Sequence, residues 1–176
     1  MRLFLGLPLS DSARREAYAC AQTLSQTVPG QYAPAENYHL TLAFLGDTDE
    51  KALSTVKIAM ERACETISPF AFSASGVSFF GKADRAILYC AVHDSPELEN
   101  LSSLLRASLS DLGLPFDPKP FKPHITLARK GNTEALPSVS FRFTEETTAH
   151  GITLFHSTRV DGALRYLPID FSPFRQ

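Results

Sequence analysis

The chain has 176 residues, of which 44% are hydrophobic and 20% are charged, and its formal net charge is −2. This length and composition are typical of a folded protein with a buried core and argue against a disordered chain. The slightly acidic balance excludes the broad basic surface that binds long duplex nucleic acid, so any contact with nucleic acid should be small and local.

The three cysteines are odd in number and lie in apolar segments without a CxxC spacing. That pattern fits neither a disulfide framework nor a zinc site, so we expect core residues of a cytoplasmic protein. The apolar N-terminal segment is interrupted by Gly6 and Pro8 and has no cleavage signal. It predicts a first strand rather than a membrane span or a signal peptide.

Helix and strand patterns alternate along the first half of the chain. The predicted elements are a strand over 2–9, a helix over 12–27, an extended piece over 31–34, a strand that ends at 45–46 and a second helix over about 48–67. Asp47 and Glu50 have the spacing of a capping box at the start of the second helix. The apolar stripe of that helix follows the 3,4 spacing of a helix that packs on a sheet.

The second half contains more strands that are joined directly to one another. The predicted elements are a hairpin over 70–80 and 85–92, a helix from 95 to 112, an extended proline-rich segment over 114–123, a strand from 124, and three antiparallel strands over 139–147, 151–160 and 164–170. Because several strands are linked by hairpins, the pattern predicts an α+β fold rather than a doubly wound parallel sheet. We expect one domain over 1–176, with two similar interleaved lobes, a shared core and a central groove.

A five-residue pattern occurs twice, once in each half of the chain. His39-Leu-Thr-Leu-Ala matches His124-Ile-Thr-Leu-Ala. The alternation of a strand places each histidine and the following Thr41 or Thr126 on one face, roughly 7 Å apart, with the aliphatic residues on the other. The repeat therefore predicts a two-sided site between the lobes.

Two imidazoles suit the opening of a phosphodiester by water. Near neutral pH one histidine can accept a proton while the other donates one, and each can accelerate the reaction by about 10²–10⁴-fold. The threonine hydroxyls can donate to the nonbridging oxygens, and Arg129 can pair with the phosphate. Arg129 has the opposite strand parity to His124, however, so it needs a strand end or a bend to reach the groove.

The motifs also have plainer interpretations. A lone histidine on a strand is usually structural, and an internal duplication can preserve a packing pattern without chemistry. Neither histidine has a second ligand at metal-binding spacing on its own strand face. Phe44, which would suit the stacking of a base, has the parity of Leu40 and Leu42 and is therefore predicted to lie in the core.

The residues around both motifs resemble the 2H phosphoesterase superfamily, and within it the bacterial and archaeal RNA 2′,3′-cyclic phosphodiesterases, also called 2′-5′ RNA ligases. The resemblance is carried by residues 1–4, 36–46, 112–113, 121–129, 154–157 and 165–166. It implies a two-lobed α+β fold and metal-independent hydrolysis of a terminal RNA 2′,3′-cyclic phosphate to a 2′-phosphate, without a cofactor.

The same resemblance implies a role for each site residue. His39 is expected to donate a proton to the departing 3′ oxygen, and His124 to accept one from water. Thr41, Thr126 and Arg129 are expected to hold the phosphate. In reverse, the site would join RNA ends through a 2′-5′ linkage without ATP.

Two rival functions stay open from the sequence. One is a 2H enzyme that acts on a small cyclic nucleotide, and the other is a nucleotide- or RNA-binding module without turnover. The expected partners are RNA ends or small nucleotides with a 2′,3′-cyclic phosphate. We expect no long duplex, no membrane and a monomeric protein.

Overall fold

The computed structural model describes residues 1–136 and 141–175 of the chain. Its strands are β1 (Arg2–Pro8), β2 (Gln31–Tyr32), β3 (His39–Asp47), β4 (Phe70–Phe80), β5 (Ala86–Val92), β6 (His124–Gly131), β7 (Glu146–Ala149), β8 (Gly151–Val160) and β9 (Ala163–Pro173). Its helices are α1 (Asp11–Ser25), α2 (Leu53–Cys64) and α3 (Pro96–Asp111). The predicted α+β mixture of hairpins and helices is therefore observed.

The strands form a single antiparallel sheet with the order β7-β4-β5-β6-β3-β1-β8-β9, and β2 pairs with β6. Apart from β2, the sheet has two halves of four strands, and the histidine strands β3 and β6 meet where the halves join. One residue pair, Leu40 with Ile125, defines the register at this junction. The junction therefore brings together two motifs that are far apart in the sequence.

The helices cover the apolar face of the sheet. Helix α1 packs against β6 and β7, α2 packs against α3, β8 and β9, and α3 packs against β3. Helix α3 buries Leu98, Leu101, Leu105 and Leu109 completely. Each buried leucine contributes about 1.5–3 kcal/mol relative to exposure, so this stripe fixes α3 behind the motif strand β3.

Helices α1 and α3 each begin at a serine N-cap. The Ser10 and Ser95 hydroxyls accept hydrogen bonds from the backbone amides of Ala13 and Leu98. Gly113 follows α3 with a φ of 68°, a left-handed conformation that favours glycine. These caps satisfy helix-end groups that would otherwise lack partners.

The predicted capping box at the second helix is wrong. Asp49, rather than Asp47, caps this region, and its carboxylate accepts from the Lys51 amide. A 3-10 turn over Glu50–Ala52 follows, and α2 begins only at Leu53. Strand β3 extends through Asp47, which pairs with Arg2, so Asp47 is not available as a cap.

The predicted strand over 139–147 is also wrong in its extent. Residues 137–140 lie outside the described residues, and the strand there runs only over Glu146–Ala149. This strand does not form a hairpin with β8, because it pairs with β4 instead. The hairpins β4–β5 and β8–β9 are confirmed.

Candidate active site

A cleft of about 850 Å³ lies on the face of the sheet opposite the helices, at the junction of the two halves. His39 and Thr41 line it from β3, and His124 and Thr126 line it from β6. Both strands alternate between half-buried motif residues and buried aliphatic residues over their first four positions. The predicted common face of the His and Thr side chains is therefore confirmed.

Both motif strands contain a β-bulge at the same motif position. The pairing of β1 with β3 skips Leu42, because consecutive β1 residues pair with Thr41 and Ala43. The pairing of β5 with β6 skips the equivalent residue, Leu127. An extra residue in one strand reverses the facing of the residues that follow it. In each strand, the residue after the alanine consequently changes face.

The bulges bring Arg129 and Phe44 into the cleft wall. The parity objection to Arg129 does not apply, because the strand is not regular beyond Thr126. A second irregularity follows at Lys130, whose φ is 53°. The prediction that Phe44 packs in the core is wrong, since the bulge turns its half-buried ring toward the cleft. There the Arg2 guanidinium lies 5.0 Å from the ring centroid.

His39 is held between a carbonyl, a hydroxyl and three aromatic rings. Its Nδ1 lies 2.7 Å from the Asn37 carbonyl oxygen, and its Nε2 lies 2.9 Å from Thr41 Oγ1. The Phe4 ring lies 4.5 Å from the imidazole and the Tyr166 ring meets it edge-on at 5.1 Å. A carbonyl can only accept, so Nδ1 carries the proton and Nε2 is left for exchange.

The imidazole of His124 is also hydrogen-bonded to a backbone carbonyl. Its Nδ1 lies 2.6 Å from the carbonyl oxygen of Lys122, again two residues earlier. The rings of Phe80 and Tyr89 meet the imidazole edge-on at 5.0 and 5.3 Å. Both imidazoles therefore use Nδ1 as an anchor, which leaves Nε2 of each as the proton-exchanging atom.

The environment lowers the pKa of both histidines. Burial is the main cause for His39. The Arg129 charge, and the His124 charge when that ring is protonated, lower the pKa further, so it falls to about 4 although the Asn37 carbonyl opposes the shift. Burial also lowers the pKa of His124, with Arg129 and Lys122 contributing and the Lys122 carbonyl opposing. Both imidazoles are therefore neutral near pH 7.

The cleft is lined by four arginines although the whole chain is slightly acidic. They are Arg2, Arg129, Arg159 and Arg165, and the acidic residue Asp117 also lines the cleft. The Asp117 carboxylate is paired with Lys119 at 3.2 Å. Lys119 and Lys122 are not among the residues that line the cleft, and Lys122 Nζ lies 5.1 Å from the centroid of the Phe80 ring, which flanks His124. The cleft therefore suits an anionic ligand.

Several cleft residues were not predicted from the sequence, namely Arg2, Phe4, Asn37, Arg159 and Tyr166. Most come from strands that do not carry a motif. The one signal in the sequence was the family resemblance, which includes residues 1–4 and 165–166. Asn37 differs from the others, because it is close to a motif in the sequence, two residues before His39.

Metal-binding clusters and membrane-spanning helices are both absent from the described residues. No group of three or more His, Cys, Asp or Glu side chains in residues 1–136 and 141–175 is arranged to hold a metal ion. In the same part of the chain, no helix is long and apolar enough to cross a membrane.

Residues 10–161 match the sequence model of the 2′-5′ RNA ligase superfamily. A curated RNA 2′,3′-cyclic phosphodiesterase of Archaeoglobus fulgidus is 33% identical over 73% of this chain and 72% of its own length. The corresponding protein of Geobacillus stearothermophilus is 31% identical over 75% of this chain. The match spans only 43% of that longer relative.

Solved structures share the fold over nearly the whole chain. The crystal structure of Escherichia coli LigT in complex with 3′-AMP has a TM-score of 0.83 and 25% identity, and the match covers 99% of this chain and 98% of that chain. A Thermus thermophilus protein has a TM-score of 0.81 with 24% identity and the same coverage. The predicted fold class is confirmed by these matches.

Proposed function

Because this chain belongs to the 2′-5′ RNA ligase superfamily, we propose that it hydrolyses the 2′,3′-cyclic phosphate at an RNA end to a 2′-phosphate. The observation that carries the proposal is the pair of imidazoles on adjacent strands, His39 and His124, each with a threonine beside it in one cationic cleft. Curated relatives carry the name RNA 2′,3′-cyclic phosphodiesterase, which supports this choice of substrate.

In the proposed reaction, His124 is the general base and His39 the general acid. Nε2 of His124 accepts a proton from water while the water oxygen attacks phosphorus. The bond from phosphorus to the 3′ oxygen breaks, and Nε2–H of His39 gives its proton to that oxygen. The products are a 2′-phosphate and a free 3′-hydroxyl, and proton exchange with solvent restores the histidines. Each transfer accelerates the reaction by about 10²–10⁴-fold.

Thr41, Thr126 and Arg129 hold the phosphate in this proposal. The hydroxyls donate to the nonbridging oxygens, where negative charge grows as water attacks. The Arg129 guanidinium supplies a fixed cation with several N–H donors. Phe44 presents a ring on the same cleft wall, and a nucleobase can stack on such a ring.

Because the pKa of His39 is lowered, we infer that His39 acts as an acid only when the substrate is bound. With a pKa of about 4, His39 is neutral near pH 7 and has no Nε2 proton to donate. An anion within about 4–6 Å favours the charged form of a histidine and raises its pKa by about 1–3 units. The cyclic phosphate anion therefore promotes the protonation that its own cleavage requires.

The reverse reaction uses the same groups. A 5′-hydroxyl in place of water would attack the cyclic phosphate and form a 2′-5′ linkage without ATP, since a catalyst lowers the barrier in both directions. We further propose that the protein acts as a monomer in the cytoplasm. Its three cysteines are buried and free, which suits a reducing compartment.

The test is an assay of the purified protein on an oligoribonucleotide that ends in a 2′,3′-cyclic phosphate, with EDTA present. We expect turnover, and chromatography against authentic 2′-phosphate and 3′-phosphate standards should identify a 2′-phosphate product. Binding of the oligoribonucleotide without turnover would instead support the alternative function, an RNA-binding module. Loss of turnover on addition of EDTA would contradict a reaction that needs no metal.

A further inference from the structure

The half of the sheet that contains His39 is curled, because side chains from all four of its strands meet around the imidazole. The rings of Phe4 from β1, Phe155 from β8 and Tyr166 from β9 have centroids 4.5–5.8 Å from that of His39. In the sheet order, β3 and β9 are the first and last strands of this half. A flat sheet would hold strands three places apart at about 14 Å from each other. The curl therefore brings β9 back toward His39.

The Asn37 side chain joins the two ends of this half. It is 5% exposed, and its Nδ2 donates to the Leu164 carbonyl at 3.0 Å. Its Oδ1 accepts from the Tyr166 amide at 3.3 Å. Both partners belong to the start of β9, whereas Asn37 comes two residues before the first residue of β3. The two bonds therefore tie the last strand of the half to the segment that enters the first.

The two backbone groups of β9 require a carboxamide as their partner. The Leu164 carbonyl can only accept a hydrogen bond and the Tyr166 amide can only donate one, so the partner must offer one donor and one acceptor. Asparagine has both on one short side chain, whereas aspartate lacks the donor and alanine lacks both. Loss of the carboxamide would leave these backbone groups to water beside His39.

Residue 37 acts on His39 in two ways. Its backbone carbonyl accepts from Nδ1 at 2.7 Å, and its side chain holds the strand whose Tyr166 ring meets the imidazole edge-on at 5.1 Å. Burial is the main reason why the pKa of His39 is about 4. The charged groups that also lower this pKa are His124 and Arg129. Both lie in β6, so their effect does not depend on the bonds to β9.

The second motif has no equivalent of these bonds in residues 1–136 and 141–175. Lys122 stands two residues before His124, and its carbonyl accepts from Nδ1 in the same way. Its side chain instead places Nζ at 5.1 and 5.7 Å from the ring centroids of Phe80 and Tyr89. The carboxamide of Asn37 thus distinguishes two motifs whose histidines are anchored alike.

We propose that Asn37 is a positioning residue for the general acid, whose carboxamide holds β9 and the Tyr166 ring against His39 and keeps the imidazole enclosed and fixed. The role of His39 as the acid rests on the proposed function, whereas its enclosure can be measured without turnover. Asn37 contacts no reacting atom in the proposed mechanism, so it acts only through His39.

The first test is an NMR titration of the His39 Cε1–H signal in Asn37→Ala, without substrate. The pKa of His39 should rise by about one unit or more relative to wild type, because water reaches the ring and burial no longer disfavours the imidazolium. The pKa of His124 should stay unchanged. An unchanged pKa of His39 in the folded variant would overturn the proposal.

The kinetics of Asn37→Ala test whether the enclosure matters for proton transfer. The limiting kcat should fall by about 10²-fold, because the ring is no longer held in place, and one limb of the pH profile should move to higher pH. KM should change little, since the carboxamide is bonded to β9. Lower stability with a wild-type kcat and pH profile would show a purely structural role and overturn the proposal.

Tyr166→Leu tests the route from Asn37 to His39. It removes the ring while the Asn37 carboxamide remains, and it should also raise the pKa of His39. In the double variant, Asn37→Ala should then add less than it does to wild type, because both changes act on the same contact. Fully additive shifts would overturn this route. If Asn37→Ala does not fold, an unchanged pKa of His39 in Tyr166→Leu overturns the proposal and a raised pKa supports it.

Asn100→Ala is the matched control, because it removes an exposed asparagine of α3 that does not line the cleft. It should leave the pKa of His39, kcat and the pH profile unchanged. Failure of the wild-type protein to cleave a terminal 2′,3′-cyclic phosphate would refute the proposed function. The NMR titration would still decide the enclosure, since a raised pKa of His39 in Asn37→Ala supports it and an unchanged pKa overturns it.

Discussion

His39 and His124 are equivalent in their local chemistry and unequal in their surroundings. Each uses Nδ1 to donate to a carbonyl two residues earlier, which fixes the ring and stabilises the imidazolium when it forms. His39 packs against Phe4, Phe155 and Tyr166, and the pKa of this histidine is lowered to about 4. In the proposed reaction His39 therefore depends on the bound phosphate anion for its protonation.

Substitution of the histidines tests the acid and base roles directly. His39→Ala and His124→Ala should each lower kcat by about 10²–10⁴-fold. The wild-type profile of kcat/KM against pH should be bell-shaped, and each variant should lose one limb. Because both histidine pKa values are lowered, both limbs should lie on the acid side of the ordinary value of 6.5.

His93→Ala is the control for these variants, because His93 is exposed and does not line the cleft. It should retain the full rate and both limbs. Turnover at the wild-type rate in either His39→Ala or His124→Ala would refute the paired assignment.

The histidine pKa values should rise when a phosphate occupies the cleft. Titration of the imidazole Cε1–H signals by NMR should give values below 6.5 for both histidines in the free protein. With saturating adenosine 2′-phosphate, the His39 value should increase by about one unit or more, because the dianion stabilises the imidazolium. An unchanged His39 titration would contradict a phosphate beside this ring.

At the scale of the strand, the two bulges decide what the cleft contains. Alternation predicts the facing of His and Thr correctly, but it fails after Leu42 and Leu127. A signal for this was present, since each leucine is followed by an alanine, and two consecutive apolar residues interrupt the alternation. The observed burial repeats this feature, with two buried positions in succession in each strand.

Gly6 of β1 lies against the first bulge. It pairs with Thr41, and a Cβ at this position would lie 2.6 Å from the Leu40 carbonyl oxygen. Gly6→Ala should therefore displace the backbone of β3, lower the free energy of unfolding by about 1–3 kcal/mol and reduce kcat. Urea unfolding and the hydrolysis assay measure the two effects.

Gly76→Ala provides the comparison for Gly6→Ala. Gly76 lies in β4, and a Cβ there would meet no atom within 4 Å. This variant should keep wild-type activity and equal or slightly greater stability, since alanine loses less backbone entropy than glycine. A Gly6→Ala protein as stable as Gly76→Ala would show that the β1–β3 contact tolerates a methyl group.

At the scale of the molecule, the two halves of the sheet share one core. The buried cluster includes Leu5 and Leu154 from one half and Leu88 and Leu127 from the other. Leu40 and Ile125, the pair that defines the junction, also belong to it. Separation of the halves would expose this core and open the cleft, so the site and the fold depend on the same contacts.

The shared core predicts that the chain unfolds as one unit. Differential scanning calorimetry should show a single transition whose calorimetric enthalpy equals the van't Hoff enthalpy. Tyrosine fluorescence and far-ultraviolet circular dichroism should give the same midpoint. Two separate transitions, or different midpoints, would mean that the lobes are independent domains.

The sequence by itself determined the strands that carry His39 and His124, the common facing of each histidine and its threonine, and the α+β class. These features follow from period-2 alternation and hairpin spacing, which are local properties. It also placed both ends of α1 and α3 to within two residues, because helix ends depend on a few neighbouring residues. The start of α2 was misplaced, because Asp47 belongs to β3 and pairs there with Arg2 of β1, a strand far away in the sequence.

The tertiary structure alone decided the direction of Arg129 and Phe44, the Asn37 bonds to β9, the arginines that β8 and β9 contribute to the cleft and the lowered pKa of His39. Each depends on which strands become neighbours: bulges exist only relative to a partner strand, and burial requires rings from elsewhere in the chain. The sequence names the groups that can react, and the pairing of the sheet sets their directions, distances and charge.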